Sequence, residues 1–188
     1  MAKMTRKLAM ALAAAVVLSA PQASAAAQDA ALNTRAAAVD SHVRSHNPAI
    51  VTLIQQASER SATFRALLAT LNASDSYVYV SEGECNHGAR ACFVSVSKAG
   101  TSRMMWVRVV TRKAYGDEDL MGSIGHELRH TIEVLAVPTV NSPEAMFMFY
   151  AGLAFHGTGG GYETKAAVDA GEAVRSEVRA FNRHSKSE

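Results

Sequence analysis

Hydrophobic positions along the chain change period twice, and the changes divide it into helical and extended stretches. Phe64, Leu67, Leu68 and Leu71 recur at three- and four-residue spacing, marking one buried face of a helix from about Ser61 to Asn72. Upstream, Pro48 suits the first turn of another helix reaching about Ser58. The period then shortens. Tyr77-Val78-Tyr79-Val80, bounded by Asp75 and Gly83, reads as a strand. Ala91 to Ser97 alternates, with Cys92, Val94 and Val96 on one side and Phe93 and Ser95 on the other. A turn at Lys98-Ala99-Gly100-Thr101 leads into a third strand, Met104 to Val110. These segments predict a small, three-stranded, mostly antiparallel sheet.

Helical spacing then returns. Leu120, Ile124, Leu128 and Leu135 share one face, and Asp117, Glu118 and Asp119 supply an acidic start suited to the positive end of the dipole. Ser142 and Pro143 look like the cap and first turn of a further helix, carrying the apolar run Ala145 to Phe155. Its Met146, Phe147, Met148, Phe149 and Tyr150 cluster reads as core. Gly157 to Gly161 must turn or flex, and a last helix is predicted from Tyr162 to about Asn182. The order is ααβββααα without internal repeat, and the fold class is α+β.

The first 25 residues change the picture of charge and compartment. Lys3, Arg6 and Lys7 precede an apolar run from Leu8 to Ala20, and Ala23-Ser24-Ala25 offers a small-residue cleavage site. The run is shorter than the about 20 residues that span a bilayer, so signal cleavage and export are expected, with no stable membrane anchor. Residues 26–47, rich in Ala, Ser, Asp and Arg, are expected to form a flexible segment. Residues 48–183 then form one domain, followed by a tail at 184–188. The formal charge of +2 becomes −1 once the three basic leader residues are gone, leaving 16 basic against 17 acidic. That balance gives no electrostatic case for nucleic acid or an anionic membrane. In an oxidising compartment Cys85 and Cys92 are expected to form a local disulfide. One intervening His87 does not complete a zinc shell with them.

The residues that carry chemistry are His126-Glu127-Leu128-Arg129-His130. Histidines four apart on a helix share a face one turn apart, so both imidazoles can reach one ion. Glu127 points roughly 100° around from His126, beside such an ion rather than onto it. There it can take a proton from an activated water and pass it to a leaving amine. Gly122 and Gly125 would let another backbone or a ligand approach closely.

This pattern resembles the zincin metallopeptidases. A small sheet, an H-E-x-x-H helix and a later carboxylate-bearing helix make up the minimal gluzincin order. Here Gly125 to His130 supply the first motif. Tyr162-Glu163-Thr164-Lys165-Ala166-Ala167-Val168-Asp169 looks like the second. Glu133 and Ala136 stand where the metzincin extension needs Gly and His, which excludes that branch. The resemblance covers about Tyr77 to Val178. It implies a minimal zincin-like fold, a Zn2+ cofactor, Glu127 as general base, and a peptide or protein substrate hydrolysed along the edge strand. The runner-up is a catalytically silent zinc- or partner-binding domain of the same fold. Tyr150, His156 and Tyr162 are candidates for stabilising an oxyanion.

Two histidines leave zinc short of the three protein ligands of a catalytic site, and Glu163 is the expected third. Ala166 and Ala167 are small enough to let its helix pack on the His126 helix. Glu133 shares the His126 face but rises about 10 Å beyond it, which suits a hydrogen bond to a ligand imidazole better than ligation. His156, Asp169 and Glu172 are the remaining rivals.

Overall fold

A computed structural model describes residues 41–111, 116–153, 155–156, 162–185 and 187. The expected signal peptide 1–25, most of the segment after it and the Gly157–Gly161 loop lie outside the described residues. The elements in chain order are β1 (Val43–Arg44), α1 (Pro48–Arg60), α2 (Ala62–Asn72), β2 (Tyr77–Glu82), β3 (Ala91–Ala99) and β4 (Ser102–Val109). They continue with α3 (Asp117–Leu135), α4 (Pro143–Leu153), β5 (Phe155–His156), β6 (Tyr162–Glu163) and α5 (Lys165–His184). The class is α+β, as the periodicity predicts.

Ser61 makes the corner between the first two helices. Its N–H donates to Ala57 O (2.9 Å) and ends α1, while its hydroxyl accepts from Phe64 N (3.0 Å) and starts α2. One residue thus satisfies orphan groups of two helix ends. Phe64, Leu67 and Leu71 are the buried residues of α2, the face the spacing marks, although partly exposed Leu68 only borders the core.

The sheet departs from the expected pattern. It has four strands in the order β1-β2-β4-β3, with β1–β2 and β2–β4 parallel and only β3–β4 antiparallel. The chain passes from β2 across β4's position to form the far edge as β3, then returns between them. Strand periodicity carries no information about that insertion. The fourth strand comes from the segment expected to be flexible: Val78 N donates to His42 O (2.8 Å), and Val43 is buried. Two residues are too few for a period, so β1 is invisible in the hydrophobic pattern. Residues 41–47 therefore belong to the folded unit, with the His42 ring tilted against that of Tyr77 at 4.6 Å.

One sheet face, with Val78, Val80, Met105 and Val107, is fully buried. It shares a core with Ile124 and Leu128 of α3 and Val174 of α5. Helices α3 and α5 touch at glycines. A Cβ on Gly125 would meet Val174 Cγ2 at 2.8 Å, and one on Gly171 would meet His126 Cβ at 3.0 Å. Larger residues would push apart the two helices that frame His126. Arg103 of β4 caps the other end of α3, donating through Nη1 to Val134 O and through Nη2 to Leu135 O, both at 2.8 Å. The hairpin thereby fixes the C-terminus of the motif helix.

Cys85 and Cys92 form a disulfide with Cα atoms 5.9 Å apart, enclosing a short turn at Asn86–Gly88 before β3. The bond is consistent with an extracellular location. Among the described residues no helix is long and apolar enough to cross a membrane.

Candidate metal centre

The α3 helix presents His126 and His130 one turn apart, with their Nε2 atoms 3.1 Å from each other. Glu163 arrives from β6. That strand is a second correction, because the last helix begins at Lys165 and not Tyr162. Thr164 stops the strand and caps α5 by accepting from Ala167 N (3.1 Å), while β6 pairs antiparallel with β5. Glu163 Oε2 lies 2.9 Å from His126 Nε2. One ligand atom from each of His126, His130 and Glu163 lies within 4.8 Å of the others. Glu163 thus meets His126 from a strand end instead of from a helix.

The donors fit a cation better than they fit one another. Glu163 Oε2 is buried, and despite its closeness to His126 no donor meets it in hydrogen-bond geometry. An orphaned buried carboxylate oxygen facing two imidazole nitrogens is costly unless a positive charge joins them. The opposite edge of His130 is fixed, since its Nδ1 lies 2.9 Å from Glu133 Oε2. A carboxylate only accepts, so the proton sits on Nδ1 and the Nε2 lone pair is left for an ion. Two nitrogens, one carboxylate and access from a cavity are the donor set of a metal site with an open position. His126, His130 and Glu163 could therefore hold a metal ion.

Charge supports the same arrangement. Burial opposes a proton on His126, but Glu163, Glu127 and Glu133 outweigh it and raise the pKa. The His126 ring close beside it holds the Glu163 carboxyl below its ordinary value against the effect of burial. Burial also opposes ionisation of Glu133, yet its bonds with His130 and Thr164 lower the pKa. Glu133 thus meets the far edge of the His130 imidazole and is not among the convergent donors.

Glu127 stands beside the triad. It is 7% exposed, and its Oε2 accepts from Phe93 N at 2.7 Å. The other oxygen, Oε1, lies 4.0 Å from His126 Nε2. Burial raises the Glu127 pKa, against the pull of the two histidines and the Phe93 N–H. A carboxyl so perturbed beside a cavity is suited to taking up and releasing protons.

The cavity has a volume of about 420 Å³ and is lined by the disulfide, Phe93 of the edge strand, Met146 and Phe147 of α4, and Tyr162. Here the α4 cluster is core only in part, with Tyr150 buried and Met146 and Phe149 packed against the core. Phe147 and Met148 are 55% and 68% exposed, and of that helix only Tyr150 is buried. The reason is that α4 packs on the edge strand at the rim of the fold, so only one side of it meets the interior.

The other candidates separate clearly. Asp169 pairs with Lys165 and exposed Glu172 with Arg175, each at 2.6 Å, so neither reaches the triad. Tyr150 donates its hydroxyl to His130 O (2.8 Å), and burial first of all pushes its pKa up. It braces the motif helix. Tyr162 lines the cavity and meets Phe147 edge-on at 5.7 Å. The side chains of His87 and His156 lie outside the described residues. Sequence reasoning missed Thr164, although a Thr just before Lys165-Ala166-Ala167 is a legible helix cap. It also missed the Phe93 N–H, a backbone group that no residue type signals.

Comparison with protein-family models, curated proteins and solved structures found no match. The geometry of the site stands alone as the guide to function.

Proposed function

We propose that this protein is an exported, zinc-dependent metallopeptidase of gluzincin-like design. The carrying observation is that Glu127 Oε1 lies beside the convergent donors of His126, His130 and Glu163, at a cavity bordered by the edge strand. Zinc held by the three residues would supply Lewis acidity and make a water easier to deprotonate near neutral pH. Glu127 then receives the proton, because Phe93 N occupies its Oε2 and leaves Oε1 turned toward the site. The same carboxyl returns the proton to the departing amine. The edge strand β3 lies where an extended peptide could run past Glu127.

One observation favours the silent zinc-binding alternative. The Tyr150 hydroxyl is spent on His130 O, so it does not offer a free donor to an oxyanion. Tyr162 is the remaining described tyrosine on the cavity.

The test is metal content and hydrolysis by purified mature protein, with His126→Ala as control. The proposal expects about one zinc per chain, lost in the variant, and cleavage of a peptide library abolished by chelation. Zinc uptake without cleavage favours the silent reading. No zinc uptake overturns both.

A further inference from the structure

Glu163 and His130 reach the candidate centre from separate segments, and a single hydroxyl joins those segments. Thr164 follows Glu163 directly and is itself buried. Its Oγ1 donates to Glu133 Oε1 at 2.6 Å and accepts from Ala167 N at 3.1 Å. The other oxygen of the Glu133 carboxylate holds His130 Nδ1 at 2.9 Å. A continuous chain therefore runs from the start of α5 through Thr164 and Glu133 to the His130 ring.

We propose that Thr164 is a positioning residue that sets the metal affinity of the centre by fixing Glu163 and the His130 ring together. The inference rests on the reading of His126, His130 and Glu163 as a metal site and not on peptidase activity. A hydroxyl has one proton to give and lone pairs to receive, and Thr164 uses both functions at once. As acceptor it sets where β6 ends and α5 begins, with its own backbone extended at φ −115° and ψ 148°. That fixes the departure of Glu163, the residue just before it. As donor it makes the shortest bond to Glu133, which also lies 3.8 Å from Arg129 and 3.5 Å from the Tyr150 hydroxyl. Without it the carboxylate is free to swing toward Arg129, and the imidazole it orients goes with it. Groups that orient a ligand histidine in this way contribute about 10–100-fold to metal affinity.

The test compares Thr164→Val, Thr164→Ser and Thr164→Asp by competitive zinc titration, alongside the His130 Nδ1–H signal of the metal-free proteins by NMR. Valine keeps the shape without the hydroxyl. Aspartate keeps the cap without the donor, and it carries the test if the valine protein does not fold. Ser61→Ala, which removes the cap of α2 far along the chain from the triad, controls for general loss of stability. Thr164→Val and Thr164→Asp should weaken zinc binding about 10–100-fold and lose the protected Nδ1–H signal, while Thr164→Ser and Ser61→Ala keep both. Wild-type affinity in Thr164→Val and Thr164→Asp, or an equal loss in Ser61→Ala, overturns the proposal. A wild-type protein that takes up no zinc overturns the metal-site reading instead, and is told apart because the His130 signal still responds to Thr164→Val.

Discussion

Phe93 of the edge strand donates its backbone N–H to Glu127 Oε2 at 2.7 Å, and Phe93 is the residue next to Cys92 of the disulfide. The bond selects which carboxylate oxygen faces the candidate centre. It also couples Glu127, the proposed base, to the edge strand along which the proposed peptide substrate would lie.

Glu127→Gln should keep about one zinc per chain and lose most hydrolysis, because Glu127 is not among the convergent donors. The amide oxygen can still accept from Phe93 N, so the geometry is retained while proton uptake is lost. General acid–base groups contribute about 10²–10⁴-fold, the loss in kcat/KM to be measured. Full activity in the variant would sink the assignment, and loss of zinc would make Glu127 a ligand.

Glu163→Ala should remove most zinc affinity, whereas Glu133→Ala should lower it by only about 10–100-fold. The former deletes a donor atom of the triad, and the latter deletes the partner that orients His130. Competitive titration gives the ranking. The reverse order would exchange the two roles.

With the proposed export, the mature protein should begin near Ala26 and be two hydrogens lighter than its thiol form, owing to the Cys85–Cys92 bridge. Intact mass checks both points. Closing so short a loop should contribute roughly 2–3 kcal/mol, seen as a lower unfolding midpoint in urea for the Cys85→Ser, Cys92→Ser double variant.

Glu177 gives a pH dependence away from the candidate centre. Its carboxylate accepts from Ser61 Oγ (2.6 Å), Thr63 N (3.0 Å) and Thr63 Oγ1 (2.8 Å). Burial opposes ionisation, but these bonds outweigh it and lower the pKa. The stabilisation is therefore complete above the unfolded carboxyl pKa of about 4.3 and is lost as pH falls through the folded value. Glu177→Gln should cost about 1–2 kcal/mol at pH 7, modest because the group is partly exposed. The difference from wild type should shrink below about pH 4. A difference constant across that range would rule out the charged contact as its origin.

The sequence by itself determined the α+β class, the α2 and α3 helices and the pairing of Cys85 with Cys92. It also brought His126, His130 and Glu127 into their relative positions, because those positions follow from the helical repeat of α3 alone. Contacts within three or four residues, such as Glu133 to His130, are equally local, and helix geometry places them. Other features depend on segments far apart in the chain, and only the tertiary structure decided them. The insertion of β4 between β2 and β3 reflects which strand edges met, and the two-residue β1 has no period to read. Glu163 reaches His126 across 37 residues because glycines at 125 and 171 let α3 and α5 approach and Thr164 ends β6 where it does. The Phe93 N–H finds Glu127 only because the edge strand passes over the motif helix. A backbone donor carries no residue identity, so packing alone could assign it.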